Sequence, residues 1–357
     1  MNDSEILDKR EQKDFNGITF SNYKKSDVKK QLLNSLINGK IENACYWSIE
    51  YICAGHFLDL WDYLLLFAGK NIHLGNPKLP QYLNLRFNNF KDIVLNGYIK
   101  NEIKMRNNDK IRKLFAEIIS ILCLSTKKNE LTQVKVNKTD FIIHNISDKL
   151  KADSIEYGNT FFKKDDPKEI FIAINEFAYN ILITKKTHDC CYWYEWLIDF
   201  ESICKKNNKN GIICASRFIA PVDNKLSKDI IWLIWEIILF EASKQSNLIL
   251  NIVKALLELF SIKYSTGCKK KRRFLIYNAL LVTTEISNMK IPIYTDEKKI
   301  DLVKKKINVL YKQVKKQEIR PQTDYLFNNS ITKKTNLENT IEKLDKMSQV
   351  QNMVFRK

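Results

Sequence analysis

The stretch "IENACYWSIEYICAGHFLDLW", from Ile41 to Trp61, decides the fold class of this chain. Apolar side chains recur in it at helical spacing, as at Cys45, Ile49 and Ile52. Gly55 then suits the left-handed turn that ends many helices. The pattern predicts a helix that ends at Gly55 and a second helix that packs back on it. A ligand-binding box and a redox or metal site are the alternatives raised by the aromatic, cysteine and histidine content.

A second set of segments repeats this pattern farther along the chain. The matched pairs are "ENACYWSIEY" (42–51) with "HDCCYWYEWL" (188–197), "LWDYLLLFA" (60–68) with "IWEIILFEA" (234–242), and "IRKLFAEII" (111–119) with "KRRFLIYNALL" (271–281). The pairs fall in the same order in both halves, which favours a duplicated helical unit over coincidence. A packing solution duplicates readily, so the recurrence also argues against a unique ligand site.

Composition narrows the fold class further. The chain has 357 residues, of which 45% are hydrophobic, enough to bury a sizeable core. It contains only 9 Gly and 6 Pro, fewer turn residues than an all-β fold usually needs. We therefore predict an all-α protein made of two related, duplicated helical bundles and a C-terminal amphipathic helix.

The same patterns divide the chain into six expected segments. These are a polar N-terminal lead-in (1–22), helical unit 1 (23–128), a connecting segment (129–165), helical unit 2 (166–290), a basic amphipathic helix (291–318) and a flexible tail (319–357). The connecting segment contains an alternating run, "TQVKVNK" (132–138), that could form a short strand. In the tail, Thr335 and Glu338 have the spacing of a capping box before a short stripe of Leu337, Ile341 and Leu344.

The net charge of +18 points to an anionic partner, most often nucleic acid. Codon bias in an AT-rich genome is the alternative source of so much lysine. The predicted phosphate-binding residues lie in three patches: Lys269, Lys270, Lys271, Arg272 and Arg273; Lys304, Lys305, Lys312, Lys315 and Lys316; and Arg106, Lys110, Arg112 and Lys113. The first patch begins a predicted helix, where positive charge is unfavourable and a bound phosphate would offset it.

A second kind of surface is predicted on the amphipathic helix of 291–318. Its apolar positions step by three and four residues, which makes a narrow helical stripe opposite a basic face. The stripe is Ile300, Val303, Ile307, Leu310 and Val314. We expect it to bind a protein partner or a second copy of the chain.

Motifs of catalysis and of cofactor binding are missing from the sequence. It has no phosphate-binding loop, no dinucleotide fingerprint, no serine-hydrolase elbow and no HExxH zinc motif. His188, Cys190 and Cys191 lack a second ligand pair, so buried cysteines are favoured over a zinc site. We expect no enzymatic activity, no cofactor and no metal.

Cysteine usage and hydropathy bear on location. The eight cysteines are scattered through apolar runs and the polar N-terminus has no secretory signal, which favours a reducing, intracellular setting such as host cytoplasm or a viral factory. The most apolar run, 230–240, is interrupted by Glu236 and is too short to span a bilayer. No membrane partner is expected.

Part of the chain resembles a known family. "LLNSLINGKIENACYWSIEYICAG", Ile72 and the turn that ends at Pro77 are similar to the helical C-terminal region of the MgsA/RarA family of AAA+ replication-associated ATPases over residues 26–90. They resemble clamp-loader collar helices more distantly. The matched positions are packing residues and the ATPase module is missing, so the resemblance implies a collar-type, oligomerising or DNA-associated helical fold without activity. The whole chain also resembles uncharacterised proteins of large nucleocytoplasmic DNA viruses.

Two functional hypotheses follow. The first is a non-enzymatic accessory protein of replication or transcription in a large DNA virus that binds nucleic acid, DNA above all, through basic helical surfaces. The alternative is a protein–protein scaffold, assembly subunit or virion structural protein without direct nucleic-acid binding. The sequence leaves the partner, the oligomeric state and any base preference open.

Overall fold

The structure is a computed structural model that describes residues 5–99, 101–208, 211–319, 340, 341 and 344. Within these residues the fold is all-α and contains no strand, as the sequence predicts. The α-helices are α1 (Lys25–Ile37), α2 (Ile41–Cys53), α3 (Phe57–Phe67), α4 (Leu79–Leu95), α5 (Asp109–Leu124), α6 (Ile143–Ile146), α7 (Glu156–Asn159), α8 (Phe171–Tyr179), α9 (Thr187–Asn208), α10 (Ile230–Gln245), α11 (Asn247–Ser261), α12 (Cys268–Lys271), α13 (Arg273–Thr284) and α14 (Glu297–Lys315). Among the described helices, none is long and apolar enough to cross a membrane.

Contacts divide the chain into two compact units that are each assembled from separate stretches. Unit 1 comprises Met1–Phe67, Leu85–Lys127 and Pro292–Lys357, and unit 2 comprises Ala68–Asn84 and Lys128–Ile291. The sequence predicts segments that are each continuous along the chain. In the structure, each compact unit joins stretches that are far apart in the sequence.

The opening stretch forms a helical hairpin at the centre of unit 1. Gly55 joins α2 to α3 with φ of +78°, which a glycine adopts without strain. Almost every residue of α2 is buried, because α1, α3, α5 and α14 all pack on it. On α3, the Trp61 ring lies 5.3 Å from Phe115 and 5.2 Å from Phe87. The aromatic residues are therefore core, as the recurrence predicted.

Apolar residues within the predicted polar lead-in, between Ile6 and Phe20, are packed into unit 1. Ile6, Phe15 and Phe20 are buried. The Arg10 guanidinium lies over both phenylalanine rings, 4.7 and 4.8 Å from their centroids, and pairs with Asp8 at 2.6 Å. These apolar residues are too widely and irregularly spaced to give a helical or strand period, so the sequence pattern missed them.

Unit 2 is built around α9, with α8 and α13 against it and α10 packed on α11 and α13. Trp235 lies 5.6 Å from Phe260 in its core. Ion pairs stabilise the loop before α10. The buried Arg217 guanidinium lies 2.7 Å from Asp166 and 2.5 Å from Glu236. Breaking such a pair would leave an uncompensated buried charge.

Two local predictions concern the connecting segment and the tail. Residues 132–137 are non-helical and form no strand within the described parts of the chain. In the tail, Thr335, Leu337 and Glu338 lie outside the described residues, whereas Ile341 is helical and Leu344 is helical and buried.

Candidate nucleic-acid interface

The basic run at the start of α13 folds inward. Lys269 is 2% exposed, and its ammonium group donates to Glu201 at 2.5 Å and to Asp229 at 2.8 Å. Arg273 is also buried and pairs with Glu195 at 3.0 Å. The charge that a bound phosphate was expected to neutralise is thus neutralised by carboxylates of the same unit.

Two of the other basic residues of this run, Lys270 and Arg272, also have partners within the fold. Arg272 donates to the main-chain carbonyls of Phe260, at 2.7 Å, and of Ile262, at 2.5 Å. Lys270 is exposed and pairs with Asp199 at 3.1 Å, and Lys271 is exposed. The prediction of a phosphate site at 269–273 is wrong for Lys269 and Arg273. Lys269, on α12, lies against acids of α9 and of the α10 N-terminus, and Arg273, at the start of α13, lies against Glu195 of α9.

The patch at 106–113 is likewise divided between core and surface. Arg112 is buried, with its guanidinium 4.0 Å from the Tyr311 ring centroid and a donated bond to the Arg106 carbonyl at 2.9 Å. Arg106 is buried as well, and burial lowers the pKa of its guanidinium. Both arginines are corrected to structural roles. Lys110 is exposed, and Lys113 is half-buried and pairs with Asp109 at 2.5 Å.

The apolar stripe of α14 is also used inside the unit. Ile300, Ile307, Leu310 and Val314 are buried and Val303 is half-buried, because α14 packs on α5 and α2. At this contact the side-chain amide of Asn308 donates to the Asp109 carboxylate at 2.7 Å. The prediction of a partner-binding stripe is therefore wrong: a long hydrophobic stripe needed a partner, and distant parts of the same chain supply it.

The opposite side of α14 carries a group of exposed lysines. Lys298, Lys305, Lys312 and Lys316 are exposed. At about 100° per residue, these four positions fall within an arc of about 40°, and at 1.5 Å per residue they extend over about 27 Å. Among the described residues none of the four takes part in an ion pair. We call them the lysine face.

Neighbouring cations differ in how far they are neutralised. Lys304 is half-buried and lies 3.3 Å from Glu117 and 3.4 Å from Asp301. Lys315 is half-buried on the same side of the helix. Lys299 and Lys306 are exposed and form a second row beside the lysine face.

Sequence reasoning found part of this face. It selected Lys305, Lys312 and Lys316, and missed Lys298, which precedes the apolar stripe. The heptad spacing of Lys298, Lys305 and Lys312 was the signal that could have found it, because residues seven apart return to nearly the same side of a helix. A run of adjacent basic letters, by contrast, distributes its side chains around the helix.

The cysteine and histidine cluster at the start of α9 does not converge. Cys190 and Cys191 are buried, and burial raises the pKa of both thiols, while the His188 side chain is 78% exposed. Within the described residues, no three His, Cys, Asp or Glu side chains are grouped so that they could hold a metal ion.

Within the described residues, the fold is all-α and α14 carries a cationic surface, the lysine face. Comparison of the chain with protein-family models, curated proteins and solved structures finds no match.

Proposed function

We propose that this protein is a non-enzymatic, nucleic-acid-associated accessory protein that binds the phosphate backbone through the lysine face of α14. The observation that carries the proposal is the set of four exposed, unpaired lysines within about 40° of one helix. A row of cations along one helix suits a polyanion, because each lysine that neutralises a phosphate releases a condensed counterion. The resemblance to replication-associated helical regions and to proteins of large DNA viruses supports a role in replication or transcription.

We also propose that the two halves are related helical bundles of collar type. Tyr46 and Trp47 meet edge to face at 5.0 Å and 86°, and Tyr192 and Trp193 do so at 5.3 Å and 83°. The second matched pair agrees, since Trp61 and Trp235 are both buried. Residues at matched positions of the two segments therefore pack alike, which supports duplication of a helical unit.

Substitution of the lysine face tests the proposed function. A variant with Lys298, Lys305, Lys312 and Lys316 changed to glutamine should bind duplex DNA more weakly. Because each phosphate contact contributes about 0.9 to the slope of log affinity against log salt, loss of four contacts should lower that slope by about 3.6. Fluorescence anisotropy of a labelled duplex over a series of salt concentrations measures both quantities.

The matched control removes the same charge elsewhere. Lys9, Lys24, Lys30 and Lys91 are exposed and lie outside α14. Their change to glutamine should leave the slope nearly intact. Equal losses in the two variants would show that net charge alone governs binding, and an unchanged slope in the first variant would refute the assignment to α14.

The alternative, a protein–protein scaffold, is favoured by one apolar feature of unit 1. A cavity of about 320 Å³ lies between α2 and α14, lined by Ile41, Cys45 and Leu302 among others. At its border Val309 is 56% exposed. A purified chain that forms a defined oligomer and ignores DNA at physiological salt would favour this function over the first.

A further inference from the structure

The cavity of about 320 Å³ between α2 and α14 has apolar walls. Ile41 and Cys45 of α2 and Ile307 of α14 are buried in its lining, and Leu302 and Val303 of α14 are half-buried there. Burial raises the pKa of the Cys45 thiol well above its ordinary value, so this thiol is uncharged near neutral pH. Apolar walls with a few polar groups are typical of small-molecule pockets. The cavity therefore suits a hydrocarbon body.

Two lysines of α14 add positive charge to this lining. Lys299 and Lys306 line the cavity, and both side chains are exposed. Because they are seven residues apart, they lie on nearly the same side of the helix, about 10.5 Å apart along its axis. Neither forms an ion pair within the described residues. The two ammonium groups outnumber the one carboxyl group of the lining, that of Glu42.

The Glu42 carboxyl group has an unsatisfied oxygen at this cavity. Its Oε2 atom is buried and has no hydrogen-bond partner among the described residues. Burial raises the pKa of Glu42, and the nearby Lys306 only partly offsets that effect. The carboxyl group therefore takes up a proton more readily than an exposed acid does. A protonated Glu42 can donate a hydrogen bond to a bound carboxylate.

These groups select among the kinds of ligand that the cavity could hold. A cationic head would be repelled by Lys299 and Lys306, and a neutral apolar molecule would leave both ammonium groups unused. At about 30 Å³ for a group the size of a water molecule, the cavity holds about ten such groups. That volume accommodates one short hydrocarbon chain and is too small for the two long chains of a membrane lipid.

We infer that this cavity binds a free carboxylic acid with a single hydrocarbon chain of about ten carbons. The chain lies between α2 and α14, against Ile41 and Ile307. The carboxylate lies at the polar groups of the lining, where Lys299 and Lys306 attract it and Glu42 hydrogen-bonds to it. The inference is independent of nucleic-acid binding by the lysine face, since Lys299 and Lys306 lie outside that face.

Three probes with the same ten-carbon chain test the choice of ligand. Decanoate, decanol and decylammonium are titrated into the full-length chain by calorimetry, each below the concentration at which it forms micelles. Decanoate should bind saturably, one molecule per chain. Decanol and decylammonium should bind at least about fivefold more weakly, because they lose the attraction of two exposed cations. Decylammonium that binds as tightly as decanoate, or decanoate that does not bind saturably, would overturn the inference.

A pair of double variants tests the place of the carboxylate. Changing both Lys299 and Lys306 to glutamine should weaken decanoate binding at least about fivefold and leave decanol binding unchanged. The matched control changes Lys305 and Lys312 to glutamine, which removes the same charge at the same spacing from the same helix. Neither of these two lysines lines the cavity, so decanoate affinity should stay within about twofold. Equal losses in the two double variants would contradict the assignment.

The place of the chain is tested by filling the cavity and by a measurement on the wild type. Val303→Phe should weaken the binding of decanoate and decanol alike, in a variant whose folding is checked by circular dichroism. In the wild type, the methyl resonances of Ile41 and Ile307 should shift during a decanoate titration, while that of Ile174, in the core of unit 2, should not. Shifts confined to other methyl groups would place the ligand elsewhere and refute the inference, whether or not the variant folds.

Discussion

Lys269 illustrates at the residue scale how burial redirects the role of a charged side chain. Its position in a run of five basic residues predicts an exposed side chain, yet the Lys269 ammonium group lies between Glu201 and Asp229. Tyr264 completes the cluster by donating to Asp229 at 3.0 Å. A charge in such a place is tolerated because its partners are equally buried. Lys269 therefore stabilises the fold of unit 2, and we do not assign it to a phosphate site.

Replacement of Lys269 by methionine separates the two roles. The change leaves two buried carboxylates without their cation and should lower the free energy of unfolding by about 3 kcal/mol. DNA affinity, measured at a temperature where the variant is folded, should stay unchanged. Lys270→Met is the control, since an exposed pair contributes less than about 1 kcal/mol. A large loss of DNA affinity in the folded Lys269→Met variant would restore the phosphate site.

The pair of Asp166 and Arg217 gives a pH-dependent prediction. Burial alone would raise the pKa of the Asp166 carboxyl, but hydrogen bonds from Arg217, Lys163 and Ala215 prevail and hold it below its usual 3.8. A lowered folded-state pKa means that the ionised group stabilises the fold above its unfolded pKa. That contribution is lost as the pH falls through the lowered value.

Asp166→Asn should therefore lower the free energy of unfolding near neutral pH by about 3 kcal/mol. The difference in the free energy of unfolding between variant and wild type should become smaller as the solution is acidified, because the wild type loses the ionised carboxylate that the variant never had. Urea denaturation at a series of pH values measures the difference. A difference independent of pH would show that the carboxylate's charge is not what stabilises the loop.

At the scale of the element, α14 has two opposed sides with separate tasks. Its apolar stripe lies on α5 and α2, and its lysine face is exposed. The sequence predicted both sides of the helix from periodicity alone. It could not predict which side another molecule reaches, because the apolar side is matched by parts of the chain nearly 200 residues away, as between Asn308 and Asp109, 199 residues apart.

Truncation of Ile307 tests the apolar side. Ile307→Ala removes a 1% exposed side chain from the contact with α5 and α2 and should lower the free energy of unfolding by about 3 kcal/mol. Val309→Ala, on the same helix but 56% exposed, should change it by less than about 0.5 kcal/mol. Chemical denaturation compares the two variants. Similar small effects would mean that α14 packs only loosely on unit 1.

For the whole molecule, the helical class and the main hairpin could be read from the sequence, and the assembly of the units could not. Scarce glycine and proline, helical periodicity and the repeated Cys-Tyr-Trp segment determine an all-α chain with Trp47 and Trp193 inside. The packing of Phe15 and Phe20 was missed because local periodicity carries no signal for isolated core residues. Unit 1 also joins three separate stretches through contacts that no local pattern encodes.

The sequence by itself therefore determined where helices form, since propensity, spacing and turn residues act over a few residues. Only the tertiary structure decided which charges and which apolar stripe stay accessible. Arg112 and Lys305 are both basic residues of amphipathic helices, yet one lies over Tyr311 and the other is exposed. The physical reason is that burial and ion pairing depend on surfaces brought together from distant parts of the chain. Those surfaces determine which charged groups lose their hydration and whether an opposite charge compensates for that loss.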